Sequence, residues 1–237
     1  MDNLRYVNGR DFVDQVLAGR RDFSCIKLEE SFCLNDYRFE ELNNYFKKSD
    51  EKRQLVRDPV TLNQSECLGL VTDGLYLPHL RAENAKFDYS NIMGSNFKGS
   101  RLIKASFIEA NFSGCEFEGS RMNKIVACGN DEDHRTNFEN SRFERVYLQG
   151  AELEFANFKN SYLKKTDLEG ANCEYADFKG ANLLETLFLC TYLHKADFRD
   201  VQNLNEAELL YMAVCLEDVI VNYSEKKLID ELLKMSC

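Results

Sequence analysis

Residues able to do acid–base, nucleophilic or metal chemistry are few and scattered along this 237-residue chain. The three histidines, His79, His134 and His194, lie far apart, and none has a cysteine, serine or carboxylate at a recognisable motif spacing. Each reads as a solvated surface residue. Nine cysteines occur without CxxC or zinc-like clustering. No HExxH, GxSxG or dinucleotide fingerprint is present. The glycines of GSNFKGS (94–100) are not followed by GK[ST], so they fit a turn better than a phosphate loop. The segment ACGNDEDHR (127–135) reads as a projecting loop and a candidate interaction site, with Asp131, Glu132, Asp133 and His134. Asp131, Asp133 and His134 could meet a cation, but three ligands on one loop give little specificity. Cys190 is the better candidate for a reactive thiol. The expectation is a protein that is not an enzyme, with no catalytic residue, no metal site and no cofactor.

The element that must position everything else is a repeat. From Asn137 to Asp200 the chain divides into blocks of five whose second place holds Leu or Phe in twelve of thirteen cases, from Phe138 to Phe198, the exception being Cys173. Two places before each centre stands a small or β-branched residue, and between the two, Asn or Asp occupies seven of thirteen places. A period of five fits neither a helix nor a strand, and five residues cannot bury a face alone. Such units must stack as a solenoid whose neighbours complete the core.

These blocks resemble the A(D/N)Lxx units of the pentapeptide-repeat family. The resemblance implies an all-β solenoid, a right-handed quadrilateral parallel β-helix with one unit per side and four sides per coil. The centre and the small residue two before it then point inward, and residues twenty apart stack, so Phe138, Phe158, Phe178 and Phe198 form one aromatic column. Cys67, Cys115 and Cys173 fall on inward places, as small hydrophobes. The stretch LAGRRDFSCIKL (17–28) resembles the start of several cyanobacterial members, a heterocyst-differentiation regulator among them.

Three regions follow. Residues 1–58 hold an amino-terminal cap helix, a degenerate first coil and a helical or loop excursion. In DFVDQVLA (11–18), Phe12, Val13, Val16 and Leu17 share a helical face able to plug the solenoid, with Asp11 as cap and Gly19 after the end. Phe23 and Leu28 open the first coil, with Leu34 and Phe39 as continuations; residues 38–58 then leave the pattern, as a surface helix or loop or as a partner-binding arm. Residues 59–221 form the repeat body, interrupted at about 123–135. Its centres run through Leu62, Phe97, Phe117 and Met122, and Phe97 and Phe117 are expected on the side of the later Phe column, displaced by one extra residue. A second one-residue slip before Leu204 leads to Leu209, Val214 and Val219. About thirty units give about seven and a half coils, a rod of roughly 36 Å at the usual strand spacing. Residues 222–237 form a carboxyl-terminal helix capped by Ser224, with Leu228, Ile229, Leu232 and Leu233 on one face that either covers the last coil or makes a homodimer, as the fluoroquinolone-resistance branch of the family does.

A net charge of −10 and a pI near 5.0 argue against direct nucleic-acid binding. No signal peptide or apolar span stands at the amino terminus, so a cytoplasmic location without membrane contact is expected. Between residues 137 and 200, eleven Asp/Glu face eight Lys/Arg. Outward places also carry Phe155, Leu184, Leu187, Leu189 and Tyr192, and Leu184, Leu187, Leu189 and Tyr192 form the candidate interaction patch. The function these features support is a protein-interaction scaffold or regulator with an unidentified protein partner. The alternative implied by the resemblance is a DNA-mimicking binder of DNA gyrase.

Overall fold

A computed structural model describes residues 4–128, 135–208 and 210–235. One unit, Asn157 to Ser161, shows how five residues make a complete side. The Asn157 N–H donates to the Thr136 carbonyl of the preceding coil at 3.0 Å, and the N–H groups of Phe158 and Asn160 donate to Asp177 and Lys179 of the next coil at 2.8 and 3.0 Å. The Ser161 N–H closes a turn onto the Phe158 carbonyl at 3.1 Å. That leaves Lys159, whose N–H is taken by the Asn157 side-chain oxygen at 3.1 Å. Every backbone donor of the unit is satisfied, as a buried wall requires. The Asn/Asp preference is thereby explained, because the side chain supplies the one acceptor that neighbouring coils do not. The same bond recurs from Asp167, Asn172, Asp177 and Asn182.

The corner is turned by the residue two after the centre, which adopts a left-handed backbone whether it is glycine or not, as at Asn160 (φ 53) and Gly170 (φ 63). Gly94 and Gly99 of GSNFKGS occupy such corners. Parallel bridges link residues twenty apart from Thr61 to Gln202, apart from one break, so the body is a right-handed quadrilateral parallel β-helix. Inside it, the small residue two before each centre also works for the wall. The hydroxyls of Thr186 and Thr191 donate to the carbonyls of Leu163 and Leu168 at 2.7 and 2.8 Å, and Cys115 Sγ donates to Ile92 O at 3.0 Å. Burial pushes the Cys67 and Cys115 thiols up to about 12 and raises Cys173 as well, which leaves them inert.

The Phe column is stacked as expected, with centroids 5.2, 5.2 and 5.1 Å apart along Phe138, Phe158, Phe178 and Phe198. Its continuation differs from the sequence count. Phe112, not Phe117, stacks on Phe138 at 5.9 Å, while Phe97 and Phe117 belong to the column of Phe143. The cause is the length of the break. Val126 still bridges Ser106 below it, yet pairs with Glu152 above, and Asn111 pairs with Asn137. Both spacings are 26, so the register gains six residues between Val126 and Asn137, one full unit plus one, rather than one.

The carboxyl-terminal run differs too. Pairings shift from Asn182–Gln202 to Leu187–Glu208, Tyr192–Val214 and Asp197–Ile220, a period of six. Each of the last sides contains a 3-10 turn, at Leu204–Glu206, Leu210–Met212 and Leu216–Asp218. Leu204, Leu210 and Leu216 are therefore buried centres; Val214 turns outward, Val219 is buried, and Leu209 lies outside the described residues.

At the amino end, β1 (Arg5–Val7) pairs in parallel with β2 (Ile26–Leu28), and α1 (Gly9–Leu17) connects them. Phe12, Val13 and Val16 are buried, and Gly19 follows in the left-handed region. The cap is Asn8, whose side chain accepts from the Arg10 N–H; Asp11 lies inside the first turn. Phe23, Leu28 and Leu34 line a first coil of three sides, whereas Phe39 opens α2 (Phe39–Glu51) instead of a fourth. The α2 residue Asn43 stands in for that side. Its amide donates to Gly74 O and accepts from the Tyr76 N–H, both at 2.9 Å, while Leu42 and Phe46 are buried beneath it. After α3 (Gln54–Arg57) the regular coils begin. At the far end α4 (Tyr223–Met235) buries Ile229 and packs Leu228, Leu232 and Leu233 on the core. Ser224 does not cap it, since its hydroxyl meets Glu225 Oε1. Among the described residues no helix is long and apolar enough to cross a membrane.

Candidate functional site

Outward side chains on a coil of this kind are held at fixed spacing by the wall, so recognition depends on which residues a side presents and which neighbours neutralise them. Several charged residues are answered from the adjoining coil. Lys98 meets Glu116 and Glu118 at 3.1 and 3.2 Å, Arg101 meets Glu83 at 2.7 Å, Lys159 meets Asp177 at 2.9 Å and Lys165 meets Glu185 at 3.0 Å. Asn91, Asn111, Asn137 and Asn157 form an amide ladder on another side. Asp197 is held below the ordinary carboxylate range: burial pulls it upward, but the Arg199 side chain and backbone N–H outweigh that.

The candidate loop residues Asp131, Glu132, Asp133 and His134 lie outside the described residues. Of the candidate patch, Leu184, Leu187 and Leu189 are half-buried and only Tyr192 is exposed. They wrap around successive sides instead of forming one flat surface. The apolar surface is completed by residues that the five-residue count had placed inside or not considered. Val214 is the bridge partner of Tyr192, Met212 accepts from the Cys190 N–H through its carbonyl, and Ile220 pairs with Asp197 on the next side. Tyr192, Met212 and Val214 are 46, 46 and 37% exposed and Ile220 is 43% exposed, the densest such group on the described wall. The signal that would have found them is the rhythm Leu204, Leu210, Leu216. The excursion at 38–58 does not cover this corner, because α2 is bonded to residues 74 and 76 at the opposite end. Nor does α4 conceal its exposed side chains.

Next to this corner the fold assembles a second group that spacing did not reveal. His194 Nδ1 lies 2.8 Å from Asp218 Oδ2, and one donor atom each from His194, Cys215 and Asp218 all lie within 4.8 Å of one another. The histidine is 21 and 24 residues from its neighbours, a separation set by the lengthened last coil. Cys190 is exposed but stands outside this group. His79 approaches Asp50 at 3.8 Å.

The family model described as Pentapeptide repeats matches in eight copies, over residues 90–124, 134–164 and 166–201. No curated protein matches the chain. Among solved structures, QnrB1, a plasmid-mediated fluoroquinolone resistance protein, is similar at 15% identity and TM-score 0.45 over 76% of this chain and 84% of its own. HetL from the cyanobacterium Nostoc sp. strain PCC 7120, a protein involved in heterocyst differentiation regulation, is similar at 15% identity and TM-score 0.41 over 90% and 94%. A pentapeptide repeat protein of the Arabidopsis thaliana thylakoid lumen shares 26% identity at TM-score 0.21, over 46% of this chain and 64% of its own.

Proposed function

This chain is a pentapeptide-repeat protein, and we propose that it works without catalysis, as a scaffold or regulator that holds a protein partner against the outer corner of its last coils. The observation that carries this reading is the exposed group Tyr192, Met212 and Val214, with Ile220 beside it, gathered at one corner of a wall that elsewhere carries cross-coil ion pairs. Exposed apolar residues gathered in one place mark contacts, and a rigid coil holds them at little entropic cost on binding. The half-buried Leu189 extends the same corner. Partner capture with the purified chain and with Tyr192→Glu/Val214→Glu tests it. The expected result is a defined set of proteins retained by the native chain and lost by the variant, with unchanged circular dichroism. Retention of the same set by both would overturn the reading.

The alternative, a DNA-mimicking gyrase binder, requires a dense surface of one sign, because duplex DNA carries a charge about every 1.7 Å. The cross-coil pairs of Lys98, Arg101, Lys159 and Lys165 with acids work against such a surface. A gyrase supercoiling assay, with and without fluoroquinolone, should show no response; inhibition or drug protection at micromolar protein would favour the mimic. A homodimer through α4 would need its apolar face to leave the core, where Ile229 is buried.

A further inference from the structure

The group at His194 is built, not merely adjacent. His194 follows the buried centre Leu193, and Tyr175 holds its ring edge-on, with centroids 5.4 Å apart and planes at 87°. Tyr175 is itself stacked on Phe155 at 4.8 Å. One coil further, the Leu193 N–H donates to Val214 O at 2.9 Å, which brings the turn from Cys215 to Asp218 alongside. Cys215 adopts a left-handed backbone (φ 59), and the 3-10 turn Leu216–Asp218 returns Asp218 to the same histidine.

We propose that His194, Cys215 and Asp218 form a zinc-type divalent metal site, with a fourth position open to water, that clamps the last coil to the repeat wall. An imidazole nitrogen, a thiolate and a carboxylate form a borderline donor set that suits zinc. Calcium and magnesium seek oxygen ligands instead. The thiolate and carboxylate together balance the two positive charges of the ion, so the site adds no net charge to a partly buried place. Bonds of about 2.0–2.3 Å in a tetrahedron set ligand atoms roughly 3.3–3.8 Å apart. The 2.8 Å contact of His194 with Asp218 would open slightly, and the remaining separations, all within 4.8 Å, would close. The location gives the ion a mechanical role. Among the described residues, the bridges Tyr192–Val214 and Asp197–Ile220 are the last of the wall on these two sides, and α4 follows them.

The test uses the full chain, reduced and freed of metal by chelation, then titrated with Co2+ and Zn2+. One Co2+ per chain should bind with a thiolate-to-cobalt charge-transfer band, and Zn2+ should displace it. Cys215→Ser and His194→Ala should each abolish that band and weaken Zn2+ by at least about 100-fold against a competing chelator, since outer-shell changes alone cost about 10–100-fold. Cys190→Ser should change neither. Zn2+ should also slow limited proteolysis after Asp200 in the native chain and not in Cys215→Ser. Absence of the thiolate band would overturn the proposal, as would undiminished Zn2+ binding in both ligand variants, which would assign the metal to other thiols.

Discussion

Replacing Phe158 by alanine removes the middle of the aromatic column. Its ring is fully buried, stacked on Phe138 and Phe178 at 5.2 Å on each side and set edge-on to Phe143 at 5.5 Å. Truncating a buried Phe to Ala costs about 3–5 kcal/mol, and this site belongs at the upper end because walls bonded on both sides cannot collapse into the hole. Phe158→Leu keeps most of the volume and loses chiefly the ring contacts, worth roughly 0.5–1.5 kcal/mol per pair, for a net of about 1–2 kcal/mol after leucine's own packing. Urea unfolding followed by far-ultraviolet circular dichroism reads both. Stability in a solenoid is a sum of neighbouring units, so the loss should also appear locally, as faster amide exchange from Asn137 to Asp177 before either end responds. A cost below about 1 kcal/mol for Phe158→Ala would refute a rigid stacked interior.

Two further outcomes follow from the same geometry. Deleting residues 129–134 restores the twenty-residue spacing between Val126 and its partner, so the variant should keep its circular dichroism and its Tm within a few degrees. Deleting Gly129 alone leaves a whole unit that must either enter the wall or bulge from it; an equal Tm for both deletions would count against the 26-residue register. Asp197 has a depressed pKa in the folded chain, so its contribution is present above the unfolded value near 3.9 and is lost as pH falls through the folded one. Asp197→Asn, which can still accept from the Arg199 N–H, should therefore narrow the difference in Tm between pH 7 and pH 3; an unchanged difference would contradict the Arg199 pairing.

The repeat is legible because each of its five places answers one local demand: a small residue, an Asn or Asp acceptor, a large centre, and two turn residues. Wherever the demand stays local, as from Phe138 to Phe198, sequence and structure agree. The disagreements arise where a long-range spacing decides. Sixteen residues from Met122 to Phe138 fit three units and one extra, or two units and six residues more, and it takes cross-coil pairings such as Val126 with Glu152 and Asn111 with Asn137 to separate the two. Val214 fits a five-residue phase by type, yet a period of six turns it outward, and with it the exposed corner and the Cys215–Asp218 turn. His194 carries no motif because its neighbours come from the next coil.

Both ends of the coil face one physical problem. A β-helix that stops presents unpaired N–H and C=O groups, a template for uncontrolled addition of another chain. At the amino end the answer is substitution: Asn43 supplies one amide where a strand would be, and α1 and α2 bring apolar side chains to the opening. At the carboxyl end the sides lengthen to six residues, stay paired as far as Ile220 and hand over to α4. Such departures from the five-residue rule add residues whose types the demands of a five-residue side do not fix. The exposed corner and the His194 group both lie in that lengthened stretch or touch it. If the proposed corner holds the partner, grafting residues 190–220 onto another four-sided coil of the same register should transfer the capture, and a graft that captures nothing would count against it.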